Sequence, residues 1–223
     1  MPIKRAYADF GDACRAANAL DLVGDRWTLL LVRELILGPK RFADLQESVR
    51  GIGPAVLTER LRTLCDAGIV EPVELPDLAR TRAYAATPWG RGLEPVLESL
   101  GRWFSSGPAP ATSGGMTPDA TVIAMRTMAP ERPGPLPGIE LRLRDDRRAH
   151  PPEHRYGVVT DGDVLAVTAG ELPRAVATVT ADSTLWSEVL FDGRPLDDAV
   201  RVTGERSAVD RLVAIYAPPV NCQ

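Results

Sequence analysis

Gly51-Ile52-Gly53-Pro54-Ala55-Val56-Leu57-Thr58-Glu59-Arg60-Leu61-Arg62-Thr63-Leu64-Cys65-Asp66-Ala67-Gly68 decides the fold of the first half of this chain. Gly51-Ile52-Gly53 makes a tight turn, and Pro54 suits the first position of a helix, where its missing N–H costs nothing. Leu57, Leu61 and Leu64 fall on one stripe at helical spacing, and Gly68 closes the segment, so a helix is expected over 54–67. Its other face presents Ala55, Thr58, Glu59, Arg62 and Thr63. Cys65 sits beside the leucine stripe and is expected in the core.

Upstream, Ala16, Leu20 and Val23 predict a helix over 13–23. Trp27, Leu30, Leu31, Leu35 and Ile36 predict a buried helix over 26–37, stopped by Gly38-Pro39. Phe42, Leu45 and Val49 mark a short amphipathic helix over 42–49. Downstream the period changes to that of strands at 69–75 and 81–86, with a polar, basic tip at 76–80, the pattern of a β-hairpin. Thr87-Pro88 then opens a last helix running to about residue 104, with Leu93, Val96, Leu97, Leu100, Trp103 and Phe104 along one side. Helices, a glycine turn and a hairpin in this order make residues 1–104 a mainly α winged helix-turn-helix domain.

Such a fold places the helix from Pro54 where it can enter a major groove, braced by the preceding helix. Ala55 and Thr58 suit thymine methyls or phosphates, and Arg62 suits phosphate or guanine. Glu59 and Thr63 share that face, and Lys40 and Arg41 add charge before the third helix. Arg80 and Arg82 flank the hairpin tip, placed for phosphate or the minor groove. The competing reading makes these solvated surface charges, on a domain that could equally serve protein contacts. Bulk charge does not choose between them: the chain of 223 residues carries a net −4, with 14 basic and 14 acidic residues over 1–104. Over 38–62 the balance is locally basic, five against three.

Residues 105–115 are almost wholly Ser, Gly, Pro, Ala and Thr and read as a linker. Beyond it, β-type runs at 121–125, 139–143, 156–159, 164–168 and 175–180, with helices at 183–191 and 208–215, predict an α+β domain over 116–223. His150-Pro151-Pro152-Glu153-His154 is expected to be a loop, because Pro-Pro forbids the helical geometry of a His-Glu-x-x-His metal site. Catalytic arrangements are not legible, so neither an enzyme nor a cofactor or metal is expected. The three cysteines, at 14, 65 and 222, form neither a disulfide framework nor a zinc pattern. Without an apolar run of about 18 residues or a signal-peptide core, a cytoplasmic protein away from the membrane is expected.

The stretches from Cys14 through Leu20-Asp21-Leu22-Val23-Gly24-Asp25-Arg26-Trp27 to Leu35, Gly38 to Leu45, Gly51 to Leu61, Leu64 to Val70 and Tyr84 to Arg91 together resemble the HxlR family of winged-helix regulators. The resemblance covers residues 10–104. It implies a repressor that binds double-stranded DNA at a pseudo-palindromic operator, as a homodimer joined through its N-terminal and last helices. Two departures stand out. Gly53-Pro54 replaces the usual Ser or Asn cap of the reading helix. The wing reads Ala79-Arg80-Thr81-Arg82-Ala83-Tyr84, in which Arg82 is an extra charge. In some regulators resembling this one, a cysteine at the place of Cys14 senses oxidants or electrophiles; the alternative is a small buried hydrophobe at the dimer helix. Cys222 lies in the tail.

In the second half, Ala177 to Trp186, Leu190-Phe191-Asp192-Gly193-Arg194-Pro195-Leu196, Val202-Thr203-Gly204-Glu205 and Val209-Asp210-Arg211-Leu212 resemble sterol carrier protein-like domains. That resemblance implies a mixed sheet with helices around an apolar tunnel, and so a hydrophobic small-molecule effector. Leu185, Trp186, Val189, Leu190 and Phe191 are its candidate lining residues, with ordinary core packing as the competing role. A further alternative is a small-molecule binding module whose winged helix makes only protein contacts.

Overall fold

A computed structural model describes residues 6–108, 114–197 and 199–216. The chain divides into two compact units, Met1–Leu97 and Glu98–Gln223. The border falls inside a helix rather than at the Ser/Gly/Pro stretch, whose residues 109–113 lie outside the described residues.

The first unit holds α1 (Arg15–Val23), α2 (Thr28–Ile36), α3 (Phe42–Ser48), α4 (Pro54–Asp66), β1 (Val70–Glu74), β2 (Arg82–Ala86) and α5 (Pro88–Arg91). Helix α2 is central: Leu31, Val32 and Leu35 are buried with Leu45 of α3, Leu57, Leu61 and Leu64 of α4, and Ala83 and Ala86 of β2. Gly53 caps α4 in an extended conformation and Pro54 stands at its first position. At the other end Ile69 N–H donates to Leu64 O at 2.9 Å and Gly68 N–H to Cys65 O at 2.9 Å. Gly68 can close the helix this way because its φ of +70° suits glycine. The wing strands pair antiparallel, Val70 opposite Ala86 and Glu74 opposite Arg82. Lys40 adds a bridge to Tyr84, each amide donating to the other's carbonyl at 2.9 and 2.8 Å.

The expected single last helix is two. Thr87 Oγ1 accepts from Gly90 N–H at 3.0 Å and caps α5, which stops at Gly92; α6 (Glu94–Ser106) then begins, its first four residues still in the first unit. Gly90 lets α5 press against the wing root: a Cβ there would stand 2.1 Å from Ile69 O.

The second unit holds the rest of α6, α7 (Pro118–Met128), β3 (Ile139–Arg144), β4 (His154–Asp161), β5 (Val164–Ala169), β6 (Ala177–Asp182), α8 (Ser183–Phe191), β7 (Arg201–Gly204) and α9 (Arg206–Tyr216). The sheet order is β5-β4-β3-β6-β7, with β3 and β6 parallel and the other pairs antiparallel. It is the expected α+β arrangement of a mixed sheet with helices. Its interior is built on Tyr156, Ile139, Leu141, Leu143, Met125 and Trp186. The strand expected at 121–125 is instead the middle of α7. Thr117 accepts from Ala120 N–H at 3.1 Å and Pro118 follows at the first position, a helix start that outweighs the β-branched run Thr121-Val122-Ile123. Strand β7 was not expected from the sequence. His154 opens β4, so only the earlier part of the histidine segment is loop. No helix of the described residues is long and apolar enough to cross a membrane.

Candidate nucleic-acid interface

Helix α4 turns Leu57, Leu61 and Leu64 inward, which leaves Ala55, Val56, Thr58, Glu59 and Arg62 exposed and Thr63 half-buried. Thr58 Oγ1 donates to Pro54 O at 2.9 Å and Thr63 Oγ1 to Glu59 O at 2.9 Å. Both hydroxyl protons are thereby committed to the helix, and what the threonines offer outward is a methyl group and an acceptor. Gly53 supplies no side-chain cap, so the first-turn amides of Ala55 and Val56 keep the donor character that suits a phosphate.

Arg62 is gripped from both sides. It donates to both carboxylate oxygens of Glu59, at 2.7 and 3.1 Å, and to Asp66 Oδ2 at 2.7 Å. The bonds to Glu59 raise the guanidinium pKa, and the same bonds hold the Glu59 carboxyl below its ordinary range. These pairs are solvent-exposed and individually weak. Arg60 leans the other way, 3.8 Å from Asp25, and is half-buried.

Lys40 and Arg41 are both engaged. Lys40 Nζ donates to Glu34 Oε2 at 2.6 Å, and Glu34, fully buried in α2, also accepts from Arg33 at 2.9 Å. Burying that carboxylate is tolerable only because two cations neutralise it. Arg41 donates to Asp77 Oδ2 at 2.8 Å in the wing turn. Asp77 organises the turn further: Oδ1 accepts from Thr81 N–H at 2.9 Å, and its carbonyl accepts from Arg80 N–H at 3.0 Å. The bonds from Thr81, with the Arg41 charge behind them, hold the Asp77 carboxyl below its ordinary value. Arg80 adopts φ +47° and stands 3.7 Å from Glu74, its side chain 82% exposed. Arg82 is exposed and carries no ion pair among the described residues. The structure therefore gathers the α4 face, Arg41, Arg80 and Arg82 as outward groups and turns Lys40 into a brace. The pairs of Lys40 with Glu34 and of Arg41 with Asp77 span 6 and 36 residues, spacings that announce neither in the sequence.

Two helices expose apolar faces. Every residue of α1 and of α6 is at least partly exposed. Leu20 and Leu22 of α1, and Val96, Leu100, Trp103 and Phe104 of α6, are exposed outright. Ala19, Leu22, Val23, Ile69, Trp89 and Leu93 line a notch of about 150 Å³.

In the single chain Cys14 stands exposed at the N-terminal cap of α1. The backbone amides of Ala17 and Ala16 draw its thiol below the ordinary value. Cys65 is half-buried, and desolvation raises its thiol. Cys222 lies outside the described residues. Among the five candidate lining residues of the second unit, Trp186, Val189 and Leu190 are core. Phe191 meets Tyr216 edge to face at 5.4 Å between ring centres. Leu185 borders an open depression, with Gly115, Asp146, Arg147, Asp182 and Thr184. Trp186 Nε1 is buried and has no hydrogen-bond partner among the described residues.

The family described as HxlR-like helix-turn-helix matches residues 22–109. An uncharacterised HTH-type transcriptional regulator of Bacillus subtilis, YvaP, is 30% identical over 89 residues, which are 40% of this chain and 82% of that protein. The HTH-type transcriptional regulator YodB of the same organism is 35% identical over 86 residues, 39% of this chain and 77% of that one. An uncharacterised HTH-type regulator of Mycobacterium tuberculosis, Rv3095, is 38% identical over 86 residues, and this chain spans only 54% of its length. A crystallised reduced form of YodB is similar with a TM-score of 0.40 and 31% identity, covering 45% of this chain and all of that one.

Proposed function

Since this chain belongs to the HxlR-like helix-turn-helix family of transcription regulators, we propose that it acts as a homodimeric repressor, gated by a hydrophobic small molecule in its second unit. It acts by binding and catalyses no reaction. The observation that carries DNA reading is the exposed face of α4 beside a braced wing whose Arg82 has its charge unspent. Arg82 neutralises a phosphate, Ala55, Val56 and the threonine methyls meet thymine methyls, and the uncapped start of α4 receives a backbone phosphate. Selection of duplexes from a random pool by the full chain, followed by fluorescence anisotropy, tests this. Enrichment of an inverted repeat is expected, and binding that does not weaken in the double variant Arg62→Ala, Arg82→Ala overturns the assignment.

Dimerisation is supported by α1 and α6, amphipathic helices that expose their apolar side chains in the single chain. Two such helices pairing with their copies set two α4 helices in successive major grooves. The effector is supported by Trp186 Nε1, a buried donor that a polar atom on an otherwise apolar ligand would satisfy. The mixed sheet with α7, α8 and α9 agrees with the sterol carrier protein-like resemblance of this unit. Native mass spectrometry of the full chain, purified without detergent, is expected to show a bound apolar molecule.

A second reading is a thiol switch, favoured by the exposed, acidified thiol of Cys14 on α1. There a bulky adduct would disturb the dimer helix. Cys14→Ser is expected to abolish any effect of oxidants or quinones on DNA affinity, and an unchanged response excludes the switch.

A further inference from the structure

We propose that Leu78 is a wedge: the wing tip enters the minor groove of the bound duplex and presses the Leu78 side chain against a base step, unstacking it and bending the DNA. Leu78 is the most exposed apolar side chain of the described residues, with a relative exposure of 108%. A single exposed leucine is ordinary on a protein surface. This one stands on a turn held from several directions. Leu75 N–H donates to Thr81 O at 2.9 Å, Arg80 N–H to Asp77 O at 3.0 Å, and Thr81 N–H to Asp77 Oδ1 at 2.9 Å. Arg41 reaches across from the cap of α3 to Asp77 Oδ2 at 2.8 Å. The turn even places Arg80 at a positive φ, a conformation that costs a non-glycine residue free energy. A tip fixed this firmly does not fold its leucine back onto the domain.

The charge around the tip selects the occupant. Arg41 pairs with Asp77 and Arg80 stands near Glu74, so Arg82 is the cation near the tip that carries no ion pair among the described residues, while the remaining acid of the wing, Glu71, lies nearer its root. An apolar point beside cationic shoulders suits a groove that is narrow, walled by phosphates and floored by stacked bases. Proteins that insert leucine there unstack the step and bend the duplex toward the major groove. The step entered is a pyrimidine–purine step, the kind that opens most cheaply. Specificity then arises at a position that α4 never touches.

The inference rests on the DNA reading proposed above, and the experiment separates the two. The probe is a duplex selected by the wild-type full chain from a random pool, with 2-aminopurine scanned through its steps and a donor and acceptor dye at its ends. Wild type is expected to raise 2-aminopurine fluorescence about twofold or more at one step per half-site and to shorten the end-to-end distance. Leu78→Ala is expected to abolish both signals while binding only about fivefold more weakly, because the phosphate contacts remain. Leu78→Met, which keeps an apolar tip, is expected to retain both. Leu78→Ala indistinguishable from wild type in fluorescence and bend overturns the wedge and leaves the DNA reader standing. A selection that enriches no duplex overturns the reader and the wedge together. Leu78 is wholly exposed, so circular dichroism of both variants is expected to match wild type.

Discussion

Arg82 and Arg62 are both exposed arginines proposed to meet DNA, yet their charges are not equally available. Arg82 has no ionic partner among the described residues, whereas Arg62 is held by Glu59 and Asp66. Arg82→Ala is therefore expected to lower the salt dependence of DNA binding by about one unit of log–log slope, measured by anisotropy across a salt series. Glu59→Gln combined with Asp66→Asn releases Arg62 and removes two negative charges from the reading face, so affinity should rise several-fold in the same titration. The spacing of these acids at i−3 and i+4 was visible in the sequence, but whether they or a phosphate hold the arginine is a matter of side-chain geometry. The two described cysteines diverge in the same residue-specific way. A lowered pKa gives more thiolate at a given pH, so Cys14 should alkylate with a midpoint below that of an ordinary thiol and Cys65 with one above it. Site-resolved mass spectrometry of iodoacetamide labelling against pH reads both, and equal midpoints would refute the contrast.

Among the elements, α5 and the wing root form the tightest join. A methyl on Gly90 would lie 2.1 Å from Ile69 O, backbone against backbone, so Gly90→Ala should cost about 2 kcal/mol or more in urea unfolding. Lys40→Met would take one cation from the buried Glu34, at the lower end of the cost of breaking a buried pair, about 3 kcal/mol. Most elements could be read from periodicity and punctuation, because each leucine stripe of the first unit ends at a glycine or proline. Two readings failed for physical reasons. In α7 nearly every residue is buried, so no polar face betrays a helical period, and Thr121-Val122-Ile123 mimics a strand. The break between α5 and α6 hides behind Thr87-Pro88, a helix start strong enough to suggest one long helix. The wing brace was illegible because the Lys40–Glu34 and Arg41–Asp77 pairs form only through the fold.

For the whole molecule, the exposed faces of α1 and α6 make a prediction about assembly. Light scattering should give twice the mass of one chain. Leu20→Glu with Leu100→Glu should give a single-chain mass and lose high-affinity binding to a full inverted repeat, while circular dichroism is unchanged. A dimer that survives both charges would place the interface elsewhere. The sequence showed these leucines as an inward stripe, since periodicity reports an apolar face without saying whose core it joins.

The bridge between Lys40 and Tyr84 also divides the wing by how fast its amides trade hydrogen with solvent. The amides of Lys40 and Tyr84 each donate to the other's carbonyl, and the Lys40 ammonium is tied to the buried Glu34, so these amides should exchange only when the whole first unit opens. Those of Leu78 and Ala79, at the tip, should exchange within the dead time of the measurement. Their fast exchange reports amides open to solvent on a turn that Asp77 holds in shape, so docking on a duplex has little backbone left to immobilise and the entropy lost on association is confined to side chains.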